Sequence, residues 1–324
     1  MACPPAAPGT ASPPGPGAAC NLPLESALPS AENPAVKWKK VSLVGVGLLG
    51  GSLGLALRSR GLAGRVVGYV RRPASLAEAV RVGAVDAATL DLVEAVAEAE
   101  LVVLCTPIGQ MRALAEKLLP ALSPGALLTD VGSVKATVVR DLEPLGKKAG
   151  VHFVGSHPMA GSEKTGVGAA RADLFADSVT VVTPTRRTDA RALRAIQDLW
   201  VSVGSRVLSL SPAEHDELVS RSSHLPYLTA ATLARLVLDP RRPKHQATLC
   251  ANGFRDTTRV ASGSPEMWRD IALANRRPLA KALGELIRDL QRVRRLVRDG
   301  NARHIETFLQ EAKARRDHWQ DRRG

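Results

Sequence analysis

The sequence predicts an α/β fold in two parts: an N-terminal domain with a mostly parallel sheet, and an all-helical C-terminal domain. Three observations carry this expectation. From Lys37 to Ser211, short apolar runs alternate with helical periodicities. A glycine motif, Gly45-x-Gly47-x-x-Gly50, interrupts the first strand-to-helix junction. Beyond Ser211-Pro212 the strand-like runs stop, and helical patterns continue to Trp319.

The first strand is the apolar run Val41 to Val44, which opens into the glycines. A helical pattern follows, and then a second strand, Arg65 to Tyr69, which completes a βαβ unit. Gly45 allows a sharp turn, Gly47 lets the backbone approach a pyrophosphate, and Gly50 lets the helix pack closely on the sheet. The helix start, with Leu49 in its first turn, presents free N–H groups to phosphates. This is the fingerprint of a Rossmann-type dinucleotide-binding domain. The pattern continues with a helix from about Ala74 to Arg81, a short run at Ala84 to Ala87, and a helix over roughly Leu90 to Ala97. The strand Leu101 to Cys105 ends at Thr106-Pro107, a second expected cofactor contact, and a helix begins near Gln110. Ala126 to Asp130 reads as a strand and Val134 to Lys148 as a helix. Strands at Val151 to Gly155 and Val179 to Thr183, a helix near Asp189 to Val203 and a last strand near Arg206 to Leu210 complete the rhythm.

The helical part is interrupted at Pro240 to Pro243, at Gly253 and at Gly263-Ser264-Pro265. Helices of this length expose apolar stripes that one copy cannot cover, so this domain is expected to form a homodimer. Residues 1–36, rich in Pro, Ala and Gly and without Lys or Arg, are expected to be a disordered tail with no signal or transit peptide. The divisions are therefore 1–36, 37–211 and 212–324.

Composition narrows the function classes. The 324 residues are 45% hydrophobic, yet no apolar run is long enough to span a membrane. Aromatic residues make up only 3%, so Ala, Leu and Val must build the core. Cys3, Cys20, Cys105 and Cys250 show neither metal spacing nor a disulfide scaffold, which fits a reducing cytoplasm and no metal site. The net charge of +13 invites a nucleic-acid reading. The arginines of Arg288 to Gly300, however, sit between apolar positions as on a solvated helix face. Steering of an anionic substrate and cofactor is the better account, without nucleic acid.

Cofactor choice turns on the end of the second strand. An Asp or Glu usually meets a free ribose 2′-hydroxyl there. Here the chain reads Gly68-Tyr69-Val70-Arg71-Arg72, with no carboxylate. Two guanidiniums suit a 2′-phosphate, so NADP is favoured over NAD.

Three further clusters carry chemistry. They are Thr129-Asp130-Val131-Gly132-Ser133-Val134-Lys135, then Gly155-Ser156-His157-Pro158-Met159-Ala160-Gly161-Ser162-Glu163, and in the helical half Ser223-His224-Leu225-Pro226-Tyr227 with Gly253-Phe254-Arg255-Asp256-Thr257-Thr258-Arg259. Singly, each has an ordinary explanation. Ser133 suits a helix N-cap, His157 a position just after a strand, and His224 a capped bend. Arg255 and Arg259, one helical turn apart, can pair with Asp256 or Asp270.

Together, in the order GxGLLGGS, CTP, DVGSVK, GSHPMAGSEKTG, SHLPY and GFRDTTRVASGSPEMWRDI, they resemble the prephenate and arogenate dehydrogenases of tyrosine biosynthesis. The resemblance spans about residue 40 to residue 300. It implies oxidative decarboxylation: hydride leaves the ring carbinol carbon for the nicotinamide, CO2 leaves the opposite ring carbon, and the ring becomes aromatic. Prephenate would give 4-hydroxyphenylpyruvate, and arogenate would give tyrosine; prephenate is favoured. The resemblance implies that His157 is the catalytic histidine and that Ser133 bridges it to the cofactor. It makes Arg259 a carboxylate-binding group, with Arg255, His224 and Glu163 nearby. Tyr227 stands where many prephenate-using relatives have a second histidine. The rival readings are another dehydrogenase or an imine reductase of similar architecture, and a non-catalytic NAD(P)- or nucleic-acid-binding protein.

Overall fold

The computed structural model describes residues 38–162 and 164–321. The expected tail lies outside the described residues. The alternating pattern resolves into β1 (Trp38–Val44), α1 (Leu48–Ser59), β2 (Ala63–Tyr69), α2 (Ala74–Arg81), β3 (Ala87–Thr89) and α3 (Leu92–Val96). It continues with β4 (Leu101–Leu104), α4 (Ile108–Leu118), β5 (Leu127–Asp130), α5 (Ala136–Lys148), β6 (His152–Pro158), β7 (Val179–Thr183), α6 (Ala190–Ser202) and β8 (Arg206–Ser209). Apolar strands such as Leu101–Leu104 are buried on both faces, as a sheet covered on each side by helices requires. One core cluster joins Leu53 and Leu57 of α1 to Trp200 of α6, and the other joins Met111 and Leu118 of α4 to Leu142 of α5.

The strand order is β3-β2-β1-β4-β5-β6-β7-β8. The chain runs outward from β1 to β3, then returns to place β4 on the other side of β1. This reversal opens a crevice beyond the carboxyl ends of β1 and β4, where open α/β sheets bind ligands. The glycine turn and Thr106 both lie at that edge.

Neighbouring strands are parallel except for β6 and β7, which pair antiparallel. Parallel pairing needs a long crossover, usually helical; residues 159–178 supply only one short 3₁₀ turn, Val167–Ala169. The exception moves a predicted boundary. The strand expected to end at Gly155 continues to Pro158. Its first half pairs with β5, while Gly155 to Pro158 pair with Thr183 to Thr180 of β7. His157 therefore stands on a strand, opposite Val181, rather than on a loop after one.

A second correction concerns the short run at Ala84 to Ala87. The strand is Ala87–Thr89, while Ala84 and Val85 are buried packing residues before it. Apolar content recorded burial there, not backbone pairing.

The helical part begins with α7 (Pro212–Val219), passes through a π turn (Ser220–His224) and continues as α8 (Leu225–Val237). Then come α9 (His245–Thr248), α10 (Asn252–Thr258), a 3₁₀ turn (Arg259–Ser262), α11 (Pro265–Ala274), α12 (Arg276–Arg298) and α13 (Ala302–Asp321). The interruption expected at Gly253 falls just before it, between Thr248 and Asn252, and Gly253 is the second residue of α10. The breaks at Pro240 to Pro243 and at Gly263-Ser264 are real. No helix among the described residues is long and apolar enough to cross a membrane.

Candidate active site

Loops at the carboxyl ends of β1, β4, β5 and β6 face the helical part across one cavity of about 620 Å³. Gly47 to Leu49, Cys105 to Pro107, Val131 to Ser133 and His157 to Ser162 line one side. Ser223 of the π turn and Gly263, Ser264, Met267 and Trp268 line the other.

The first of these sides fits a dinucleotide. Gly45 has φ +103°, and a Cβ there would lie 2.9 Å from the Cys105 carbonyl oxygen. A Cβ on Gly50 would meet the Gly45 carbonyl oxygen at 2.1 Å, so both positions demand glycine. At Gly47 nothing lies within 4 Å of that point, which leaves the backbone open to a ligand. Helix α1 has no side-chain N-cap and no acidic residue in its first turn, so its N–H groups remain for an anion. The buried Thr106 hydroxyl also makes no hydrogen bond among the described residues. Arg71 and Arg72 are exposed just beyond β2, at the end of the sheet where an adenosine ribose would lie.

The catalytic half is built on a buried ionic pair. Lys135 and Asp130 are both inaccessible to solvent and paired to each other. The Lys135 ammonium also donates to the Ser156 carbonyl at 2.7 Å, and Asp130 accepts from the N–H groups of Gly132 (2.8 Å) and Ser156 (3.2 Å). Burial pulls the Lys135 pKa down, against the attraction of Asp130. The pair ties the end of β5 to β6, immediately before His157. Removing one partner of such a pair typically costs about 3–5 kcal/mol.

His157 is buried at the cavity wall, 7% exposed. Its Nδ1 lies 2.8 Å from Nε2 of His215, and Nδ1 of His215 lies 2.8 Å from Oδ1 of Asp216. The Asp216 carboxylate also accepts the backbone N–H groups of Lys135 (2.7 Å) and Ala136 (2.9 Å). A residue of α7 therefore caps α5, and Ser133 does not: the N-cap is Lys135, without a side-chain cap of its own. Ser133 instead lines the cavity. Burial first, and then His215, Lys135 and His224, hold the His157 pKa well below the usual histidine range.

His224 ends the π turn and is fully buried. Single π turns inside helices recur at functional sites. Asn275 donates one amide hydrogen to the Asp216 carbonyl at 2.8 Å, which fixes its amide orientation, and its Nδ2 lies 3.1 Å from Nδ1 of His224. Nε2 of His224 is buried and makes no hydrogen bond of good geometry among the described residues. Burial drives this imidazole's pKa down to about 4, with His215 adding to the depression and Asp216 opposing it.

The remaining expected residues stand further back. Tyr227 does not line the cavity; it stacks on Trp268, rings 3.6 Å apart and 8° from parallel, and so braces a side chain that does. Arg255 is exposed on α10 beside Asp256, 3.5 Å away. Arg259 is exposed at the start of the turn that leads into Gly263 and Ser264. Glu163 lies outside the described residues. Sequence reasoning missed His215, Asp216, Asn275, Lys135 and Trp268 as site residues. The available signal was Ser211-Pro212-Ala213-Glu214-His215-Asp216, which reads as an ordinary helix start. An adjacent His and Asp where the helical part begins are placed to meet the sheet.

Comparison with known proteins agrees with this layout. Residues 53–209 match the nucleotide-binding domain of prephenate dehydrogenase, and residues 211–311 match its dimerization domain. The chain belongs to the prephenate dehydrogenase family. It is an NAD(P)-dependent dehydrogenase. Prephenate dehydrogenase of Bacillus subtilis is 34% identical over 86% of this chain and 75% of its own length. The prephenate dehydrogenase of A. aeolicus, solved with hydroxyphenyl propionate and NAD+, superposes with a TM-score of 0.81 at 34% identity, covering 86% of this chain and 98% of that one. Arogenate dehydrogenase of Synechocystis gives a TM-score of 0.72 at 34% identity, covering 86% and 99%.

Burial of neutral histidines makes stability pH-dependent. The unfolded chain takes up protons on histidines below about pH 6.5, whereas folded His224 resists until about pH 4. The unfolded state binds more protons in that window, so stability is lost as pH falls through it. His224 alone accounts for about 2 kcal/mol between pH 7 and pH 5. Urea midpoints over this range check the expectation: a steep wild-type fall, and a shallower one for His224→Asn. Parallel curves for the two proteins would refute it.

Proposed function

We infer that the protein catalyses oxidative decarboxylation of prephenate to 4-hydroxyphenylpyruvate and CO2, with NADP+ as the preferred hydride acceptor. The observation that carries this reading is the single cavity that joins the glycine turn, Thr106 and Ser133 to His157 and the α11 wall. The prephenate dehydrogenases of Bacillus subtilis and A. aeolicus, each 34% identical, support the substrate. Arogenate is the alternative, supported by the Synechocystis relative.

Gly45, Gly47 and Gly50, Leu49 and the α1 N-terminus hold the pyrophosphate, and Thr106 and Ser133 contact the cofactor toward its nicotinamide end. Arg71 and Arg72 receive the 2′-phosphate. The bound nicotinamide supplies the hydride-accepting carbon. Nε2 of His157 accepts the proton of the ring hydroxyl as its carbon is oxidised. Once CO2 has left and the ring is aromatic, the same nitrogen returns that proton to the phenolic oxygen. Ser133 orients the hydroxyl. Arg259, with Arg255 behind it, supplies positive charge for a substrate carboxylate, and His224 and Trp268 shape the far wall. Tyr227 acts through Trp268, and Glu163 tunes the pocket's charge. Aromatisation drives the reaction, so positioning and proton removal are what the protein must provide.

The helical domain is the family's dimerization domain. Ile287, Leu290 and Val297 of α12 are exposed along one side of that helix, which supports a homodimer with α12 in the interface. The division at residues 211 and 212 separates the two functional halves.

Turnover measured with prephenate and with arogenate, each with NAD+ and NADP+, tests the reading. Reduction of NADP+ by prephenate is expected, with His157→Asn lowering kcat by about 10²–10⁴. Arg259→Ala is expected to raise KM with little change in kcat, because a carboxylate gripped equally in ground and transition states contributes to binding alone. No turnover with either substrate, or the reverse kinetic pattern, would overturn the assignment. For the cofactor, Arg71→Ala with Arg72→Ala should raise the NADP+ KM about tenfold and spare NAD+. Equal wild-type KM values for the two would leave the arginines without that role.

A further inference from the structure

His215 is buried, lies outside the cavity lining, and has both ring nitrogens engaged. We propose that His215 is a positioning residue, which holds His157 as the Nδ1–H tautomer so that Nε2 is the nitrogen offered to the ring hydroxyl. The inference rests on His157 being the base of the proposed reaction.

Hydrogen-bond polarity carries the argument. The Asp216 carboxylate caps α5 through two backbone N–H groups and has no proton to give. Nδ1 of His215, 2.8 Å from that carboxylate, must be the donor. A neutral His215 then has only a lone pair on Nε2. Nδ1 of His157, 2.8 Å away, must donate to it, which leaves the His157 lone pair on Nε2. The chain thus runs in one direction, from His157 through His215 to Asp216. The other arrangement makes His215 a cation, with N–H groups at both ends, and reverses His157. It would bury that cation in a fully enclosed position, while two backbone N–H groups already share Asp216. The neutral chain avoids that penalty.

Selective binding of the proton follows from this order. Nε2 of His157 takes up the hydroxyl proton, and the resulting positive charge is met by the lone pair of His215 and, one ring further, by Asp216. No proton crosses to Asp216; the chain only orients. The same residue sets the second histidine in the opposite sense. The Asp216 carbonyl fixes Asn275, Asn275 donates to Nδ1 of His224, and His224 is left with its hydrogen on Nε2. One wall offers an acceptor, and the π turn holds a donor.

Two measurements test the proposal. Long-range ¹H–¹⁵N spectra of ¹⁵N-histidine-labelled protein, with His157 assigned by its absence in His157→Asn, should show Nδ1 protonated and Nε2 bare at pH 7. An Nε2–H tautomer for His157 would overturn the proposal. In kinetics, His215→Phe fills the volume but removes the acceptor, and should lower kcat at least about tenfold while KM stays within about twofold. His215→Gln, which returns a carbonyl acceptor near the Nε2 position, should recover kcat to within about fivefold of wild type. Unchanged kcat in His215→Phe, or equal losses in both variants, would contradict the positioning role. If His157→Asn itself leaves turnover intact, the assignment of His157 as the base fails instead, and the spectrum still decides the tautomer.

Discussion

The structure depends most on where Asp216 sits. A single carboxylate from the middle of α7 reaches across to the start of α5, where it satisfies two helix N–H groups that have no partner on their own helix. That contact fixes the helical part against the sheet at the point where the cavity forms. Its carbonyl oxygen, through Asn275, fixes α12 as well. Two buried histidines are oriented through this one residue: His157 at the cavity wall by its side chain, and His224 behind Trp268 by its backbone. Shape and proton chemistry therefore have a common anchor, and a shift of α7 would disturb both.

Around this anchor, burial first and then charge hold His157 and His224 toward the neutral form. Lys135 and Asp130 neutralise each other in a solvent-free position and grip the end of β6. The ammonium sits close enough to His157 to oppose its protonation, in the same direction as burial. A base held neutral is always ready to accept, at the expense of basic strength, and the downhill aromatisation tolerates that exchange. The net charge of +13 has the sign that would draw an anionic substrate and cofactor toward the molecule.

What the sequence disclosed was local. The turn at Gly45, Gly47 and Gly50 is recognisable because its constraints involve neighbours within the same strand, turn and helix, and the alternation of strands and helices follows from periodicity alone. His157 was legible as a residue, through its resemblance to a family motif, but not in its surroundings. Its partner lies 58 residues away and came without a motif of its own. The end of β6 was missed because Ser156, His157 and Pro158 read as loop; only the returning β7, about twenty residues later, makes them strand. The break near Gly253 was legible to within two residues, because a glycine at a helix start is a local signal. Tyr227 was expected among the substrate-binding residues, and stacking on Trp268 puts another ring between it and the cavity. Such layering follows from tertiary packing and leaves no trace in spacing.

The account stands on His157 and the glycine turn serving one ring in one cavity. A crystal structure of the protein with oxidised cofactor and 4-hydroxyphenylpyruvate examines this most directly. The phenolic oxygen should lie within hydrogen-bonding distance of Nε2 of His157, with the nicotinamide between the ring and the wall formed by Thr106 and Ser133. A phenolic oxygen turned toward α11, or a cofactor bound away from the glycine turn, would contradict it.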